Sequence, residues 1–289
     1  MGDVETLYTQ KFATGIRMLQ QQKPSRFQQA VMVETDIMER KAFDQLNPSE
    51  MSEKVGRNTD TPITEADHLR RWVYTRDWEK AHLFDKEDDI RVLNNPINRY
   101  SMNFVAAGNR KRDERIVAAF EAAAVTGKNG TTTATFPGSG FDVAHATTLL
   151  TEDKVRSAAQ ILSANENDSG ESPWFFGINA KNLYEGLLAE QKVTSSDYVT
   201  VKALVDGKID SWMGFQFLQH YESFPIAANI RTLYAWSKAS MMLGIGANPF
   251  TRVEQRADKS YATQVYRSEH FDATRMDEKG VVRVYCDET

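Results

Sequence analysis

Residues 85–120 read DKEDDIRVLNNPINRYSMNFVAAGNRKRDERIVAAF, and this stretch decides the fold. After an acidic run at 85–89, Asn95 is a suitable helix cap and Pro96 suits the first helical position. Downstream, apolar residues recur at the three- and four-residue spacing of one helix face. They are Ile116, Ala119, Phe120 and Ala123.

This pattern predicts a single long helix over 96–125 that ends at Gly127. At about 1.5 Å per residue, such a helix would be roughly 45 Å long. A small domain does not need a helix of that length, so we expect it to serve as a spine for the subunit.

The segment before the acidic run, HLRRWVYTRDWEKAHLF at 68–84, alternates with period two. This predicts one strand. One face combines aromatic and cationic side chains, which are typical of protein interfaces. A strand half-buried on its own domain is the alternative. The residues of this face are Trp72, Tyr74, Arg76, Trp78, Lys80, His82 and Phe84.

Two further regions flank these elements. The first 30 or so residues are polar and Gln-rich without a sustained period, so we expect an extended arm, and VGRNTDTPIT at 55–64 indicates an exposed loop. After a Gly- and Thr-rich stretch, helices at Thr151, Asn179 and Ser196 alternate with strands such as WFFGI and IDSWMGFQFL. The chain closes on strands, which indicates an α+β protein.

Composition excludes several classes of function. The chain has 289 residues, 41% of them hydrophobic, and a net charge of −5, which disfavours tight coating of nucleic acid. It has no apolar run long enough to span a membrane. The single cysteine, Cys286, has no partner for an intramolecular disulfide.

No motif indicates catalysis or a cofactor. TGKNGTTT lacks the first Gly and the Ser or Thr of a phosphate-binding loop, and NENDSGESPWFF lacks the final Glu of a calcium loop. The five histidines show no zinc-site spacing. We therefore expect no catalytic residue, no metal and no cofactor, although a metal-dependent enzyme built around residues 85–89 stays open as an alternative.

Three segments resemble the major capsid proteins of tailed bacteriophages, of the Hong Kong 97 type. They are VKALVDGKIDSWMGFQFLQHYESFP at 201–225, LYAWSKASMMLGIG at 233–246, and the spine-helix segment at 85–120 with Arg112 and Asp113. The resemblance covers most of the chain from about residue 30, and its motifs are loose hydrophobic patterns.

The resemblance implies a Hong Kong 97-like capsid fold with four parts. We expect an N-terminal arm at 1–38, an extended hairpin loop at 39–94, a peripheral domain at 95–145 and 231–289, and an axial domain at 146–230. The implied function is a structural subunit that self-assembles into the icosahedral capsid around double-stranded DNA. A shell protein of an encapsulin-like nanocompartment is the main alternative.

The implied partners are other copies of the chain in hexamers and pentamers, a portal protein, a decoration protein and DNA contacted without sequence specificity. Because the sequence starts at Met1 without a long cleavable segment, we also expect a separate scaffolding protein. We expect assembly in the host cytoplasm, location in the virion and no membrane. The candidate interface residues are Arg57, Arg71, Trp72, Tyr74, Arg76, Trp78, Lys80, Arg112 and Asp113.

Overall fold

The structure is a computed structural model that describes residues 19–54, 56–57, 63, 67–84, 97–167, 169–189, 211–219, 221–246 and 249–289. Over these residues the α-helices are α1 (Ile97–Glu121) and α2 (Glu152–Ala164). The strands are β1 (Met32–Glu34), β2 (Arg40–Leu46), β3 (His68–Tyr74), β4 (Asp77–Phe84), β5 (Ala124–Thr126), β6 (Thr132–Ala134), β7 (Asp142–Val143), β8 (Trp174–Gly177), β9 (Ser211–Trp212), β10 (Phe215–Leu218), β11 (Ile226–Ala227), β12 (Ile230–Ser237), β13 (Met241–Ile245), β14 (Phe250–Arg256), β15 (Ala262–Arg275) and β16 (Val281–Asp287).

The chain forms two compact units. The smaller unit comprises Met1–Ser25, Asp77–Lys111 and Asn248–Glu269, and the larger unit comprises Arg26–Arg76, Arg112–Ala247 and His270–Thr289. Both α1 and β15 contribute residues to each unit.

In the smaller unit, β14 and the first part of β15 form an antiparallel hairpin that runs from Phe250 opposite Ser268 to Arg256 opposite Ala262. Strand β4 also pairs with β15. The core of this unit consists of Phe84, Phe104 and Val265, with Tyr100 packed against them. Strand β14 is exposed along almost its whole length.

The larger unit contains a seven-stranded sheet in the order β7-β16-β12-β8-β10-β9, with β11 added beside β12. Strand β12 is antiparallel to both β16 and β8, whereas β8 and β10 are parallel. Residues 232–237 of β12 are all buried. A continuous buried run of this kind is typical of a central strand covered on both faces.

Aromatic side chains join this sheet to α1. The ring of Phe120 lies 4.6 Å from that of Tyr234 and 4.8 Å from that of Trp236. The indole of Trp236 also donates to the carbonyl oxygen of Ala30 at 2.8 Å, and its ring lies 5.8 Å from Phe27. The end of the predicted arm is therefore part of the core from Phe27 onward.

Two further groups of strands complete the larger unit. Strands β2, β3, β5 and β6 form one sheet in that order, and β13 lies between β1 and residues 271–275 of β15. Between these groups lies a core cluster of Ile37, Val73, Met242 and Met276.

The predicted long helix is confirmed, but its predicted end is wrong. Helix α1 ends at Glu121 and not near Gly127. The reason is that residues 124–126, which have helix-compatible composition, pair instead with β6, and Thr126 pairs with Arg71 of β3. Gly127 has a φ of +85° and begins the turn after β5.

Two predicted strands are each divided in the structure. The pattern at 68–84 forms β3 and β4, separated at Thr75 and Arg76. The pattern in IDSWMGFQFL forms β9 and β10, which pair as a hairpin around Met213 and Gly214. These two residues have φ values of +50° and +81°, the left-handed conformations of a tight hairpin turn.

Of the predicted helices in the second half of the chain, α2 is confirmed. The segment after Asn179 forms a π-helical stretch, Asn182–Gly186, followed by a short 3-10 turn, Leu187–Ala189. The helix expected from Ser196 to Gly207 lies outside the described residues. Over the part of the chain that the structure describes, no helix has the length and apolar character needed to cross a membrane.

Candidate subunit-interface surface

The predicted hairpin begins with strands β2 and β3. They pair in antiparallel register from Arg40 opposite Tyr74 to Leu46 opposite His68. On their exposed side, Arg70 binds Asp44 through Nε at 2.5 Å and Nη2 at 3.1 Å. The hydrogen bond from Arg70 lowers the pKa of the Asp44 carboxyl. Because the pair is exposed, we expect it to fix the register more than it stabilises the fold.

The aromatic side chains of β3 pack closely on the turn after β5. Trp72 donates its indole N–H to the carbonyl oxygen of Gly127 at 2.7 Å, and the Arg40 guanidinium lies 4.8 Å from the centre of its ring. Gly130 has a φ of +72°, and a Cβ there would lie 2.9 Å from the Tyr74 hydroxyl. Only glycine allows this approach without strain.

Arg76 lies at the break between β3 and β4. Its backbone N–H and C=O bond to Phe271 at 3.4 and 3.0 Å, and its side-chain Nε lies 2.8 Å from Asp272. Asp272 is also bound by Arg115 of α1, through Nε at 2.8 Å and Nη2 at 3.1 Å. One buried carboxylate thus holds the base of the hairpin and the helix together.

In the smaller unit, the two candidate residues of β4, Trp78 and Lys80, each form a cation–π contact. Lys111 places its Nζ 4.7 Å from the ring centre of Trp78, and Lys80 places its Nζ 5.5 Å from that of Phe104. Lys80 is exposed and Trp78 is half-buried. Both distances are within the range of about 6 Å at which a cation is attracted to an aromatic ring.

Three candidate residues lie inside the larger unit. Arg71 is buried and forms an ion pair with Glu278. Arg112 is buried with its guanidinium 5.3 Å from the ring centre of Phe271. Asp113 is fully buried and accepts the backbone N–H groups of residues 26 and 27 at 2.9 and 3.3 Å. These three side chains stabilise the subunit itself.

Several exposed apolar side chains on the hairpin segment were not singled out from the sequence. They have polar neighbours in the sequence, so their exposure could be recognised only from the folded structure. Met51 and Ile63 are almost fully exposed, and Leu46 and Leu69 are about half exposed. The exposed candidate Arg57 lies in the same connection.

The described residues contain no cluster of three or more His, Cys, Asp or Glu side chains with metal-binding geometry. The acidic run at 85–89 lies outside the described residues.

The arrangement of elements is that of a capsid shell subunit. The capsid protein of cyanophage P-SCSP1u matches with a TM-score of 0.74 and 14% identity, over 99% of this chain and 95% of that one. The capsid of cyanophage Pam1 matches with a TM-score of 0.71 and 14% identity, over 98% and 97%. That of Helicobacter pylori bacteriophage KHP30 matches with a TM-score of 0.72 and 11% identity, over 98% and 96%.

The chain belongs to the phage capsid protein family, which it matches over residues 4–288. No curated protein matches it. The predicted resemblance and the Hong Kong 97-like α+β fold are confirmed. The chain is therefore a structural subunit of a phage capsid, and its family confirms that it is not an enzyme.

Proposed function

We propose that this chain assembles with copies of itself, as pentamers and hexamers, into a closed icosahedral shell around the double-stranded DNA of a tailed phage. The exposed apolar side chains of the hairpin segment carry the proposal. Four of them lie within about 25 residues of each other along the chain. Met51 and Ile63 are almost fully exposed, and Leu46 and Leu69 are about half exposed. Each would gain free energy if a neighbouring subunit covered it.

The sequence-based division of the chain fits this role. Residues 39–94 would form the extended loop that lies over a neighbouring subunit, residues 95–145 with 231–289 the peripheral domain, and residues 146–230 the axial domain around the symmetry axes. Residues 1–38 would be the arm. The two compact units follow a different division, since residues 77–111 group with 248–269.

Six of the candidate interface residues are at least partly accessible within their own units. Arg57, Arg76 and Lys80 are exposed, and Trp72, Tyr74 and Trp78 are half-buried. Arginine and aromatic side chains are enriched at protein interfaces. The net charge of −5 supports a shell that contacts DNA without gripping it.

Further partners follow from the proposed assembly. A closed shell that packages DNA requires a portal protein at one vertex, and a separate scaffolding protein would guide its curvature in the host cytoplasm. A decoration protein would bind the outer surface.

Electron microscopy and sedimentation velocity of the purified full chain test the proposal. We expect closed shells, or free pentamers and hexamers, that depend on protein concentration. The double variant Met51→Ser, Ile63→Ser should fold as wild type but form about 10-fold fewer shells, whereas the exposed apolar control Tyr261→Ser in the hairpin of the smaller unit should assemble normally. A wild-type protein that stays monomeric at millimolar concentration would contradict the proposal.

A further inference from the structure

A cavity of 410 Å³ lies in the larger unit, between the end of β3, the C-terminal half of α1 and residues 272–274 of β15. The cavity is lined by the aromatic rings of Trp72 and Tyr74 and by small side chains, among them Ala119 and Ala123. Its volume falls in the range of sites that bury a small ligand or a few side chains.

The charges of this cavity are not balanced. Arg76 and Arg115 both line it, and both bind the single carboxylate of Asp272. The sum of two guanidinium groups and one carboxylate is +2 − 1 = +1. No other residue among those that line the cavity carries a formal charge at neutral pH.

The two arginines differ in accessibility. The side chain of Arg115 is 22% exposed and makes a two-point contact with Asp272, so its position is fixed. The side chain of Arg76 is 63% exposed and contacts Asp272 through Nε. A guanidinium has five N–H donors in a planar fork, so Arg76 can donate hydrogen bonds to a second carboxylate from outside the subunit.

We propose that this cavity is a docking site for the acidic run at residues 85–89 of a second copy of the chain. Charge complementarity supports this occupant, because four of these five residues are acidic and no other stretch of the sequence is as negative. The apolar residue Ile90, which directly follows the run in the sequence, matches the aromatic and alanine side chains that line the cavity. The inference rests on the proposed self-assembly and assigns one of its contacts.

A contact of this kind is heterologous, since the cavity of one copy receives the acidic run of the next. Heterologous contacts close into rings or continue as open chains, whereas a reciprocal exchange between two copies would stop at a dimer. The cluster of Arg76, Arg115 and Asp272 would also disfavour basic segments, because its two arginines repel them.

Filling the cavity gives the first test. Ala123 lines the cavity and is exposed, so Ala123→Phe adds a ring in the cavity without disturbing buried packing. Ala118 is exposed near the end of α1, five residues before Ala123, but does not line the cavity, so Ala118→Phe is the control. We expect Ala123→Phe to keep the circular dichroism spectrum and melting temperature of the wild type while shell yield falls at least about 10-fold. We expect the control to assemble as wild type.

Cysteine cross-linking tests the occupant. Ala123→Cys is combined in turn with cysteine at each position from 85 to 89 in the full chain, and shells are oxidised and separated on non-reducing gels. A disulfide requires Cβ atoms about 3.5–4.5 Å apart. We expect at least one pair to give a ladder of dimers and higher oligomers, while Ala123→Cys alone stays monomeric.

The outcomes separate this inference from the proposed function. If the wild type forms shells and Ala123→Phe does too, or if no pair cross-links, the docking site is wrong and the shell function stands. If a pair cross-links only within one chain, the occupant is intramolecular and the inference is also wrong. If the wild type forms no shells, the proposed function itself fails.

Discussion

Arg275 caps the C terminus of α1 by donating from Nη1 to the carbonyl oxygen of Phe120 at 2.6 Å. The same nitrogen donates to Ala122 at 3.1 Å, and Nη2 donates to Ala134 at 3.2 Å. The side chain is fully buried, and burial lowers the pKa of this guanidinium. Without it, the buried carbonyl group of Phe120 in the last turn of α1 would lose this donor.

We expect Arg275→Met to destabilise the subunit by about 3 kcal/mol, because hydrogen bonds from a buried charged group are among the strongest in proteins. Urea unfolding of the unassembled subunit measures this change. Arg252→Met is the control, since Arg252 is exposed on β14 and pairs with Glu254. The control should change stability by less than about 0.5 kcal/mol. A loss below about 1 kcal/mol for Arg275→Met would show that the cap is dispensable.

We expect Asp113 to stabilise the folded subunit and not to form contacts between subunits. Its carboxylate accepts two backbone N–H groups, and Asp113→Ala leaves the buried N–H of Phe27 and the part-buried N–H of Arg26 without this acceptor. We expect a loss of about 2–4 kcal/mol in the free energy of unfolding, measured with urea on the unassembled subunit. The exposed neighbour Glu114 provides the control variant Glu114→Ala, for which we expect little change. Normal subunit stability with failed assembly would instead place Asp113 at an interface.

Gly186 should not tolerate a side chain. A Cβ at this position would lie 2.7 Å from the carbonyl oxygen of Leu150, and a backbone atom cannot move aside as a flexible side chain does. We expect Gly186→Ala to destabilise the fold by more than about 2 kcal/mol. The variant Gly140→Ala tests the effect of backbone conformation without a packing clash. Gly140 has a φ of +85°, but a Cβ there would have open space around it. That variant should lose only about 1 kcal/mol. Equal melting temperatures for the two variants would refute the packing argument.

Glu288 should make stability depend on pH. Burial alone would raise the pKa of Glu288, but hydrogen bonds from Arg231 and Asn179 lower it below its ordinary value of 4.5. The Arg231 Nε lies 2.6 Å and the Asn179 Nδ2 lies 2.9 Å from Glu288 Oε1. A carboxyl with a lowered folded pKa stabilises the fold above its unfolded pKa, and this stabilisation disappears as the pH falls through the folded pKa.

We therefore expect Glu288→Gln to lower the melting temperature at pH 7, and the difference from wild type to shrink as the pH falls from about 4.5 toward 3. Differential scanning calorimetry at these pH values measures both. Glu254→Gln on the exposed strand β14 is the control. A difference that is constant across this pH range would show that the Glu288 charge does not contribute.

Cys286 should report unfolding. The thiol is fully buried in β16, and burial raises its pKa to about 12. Because the thiolate is the reactive form, we expect labelling by iodoacetamide at pH 8 to be at least about 100-fold slower in the folded subunit than in urea. Rapid labelling of the folded subunit, at the rate seen in urea, would contradict the burial of β16.

The sequence by itself determined the elements with strong local signals. The long helix, α2, the buried strand at 174–177 and the closing strand β16 follow from periodicity and capping residues, which act over a few residues. The capsid fold was indicated by the resemblance of three segments to a known family, together with the order of these elements. Composition likewise excluded a basic nucleic-acid-coating protein, because net charge needs no structure.

Only the tertiary structure decided where elements end and which charges are buried. Residues 124–126 could continue a helix, but pairing with β3 and β6 makes them a strand, and Arg275, 154 residues after Glu121, caps the helix instead. Arg71, Arg112 and Asp113 look like surface charges in sequence, yet each meets a partner that is distant along the chain. These partners are set by which segments the fold brings together. The residues next to each charge in the sequence do not predict them.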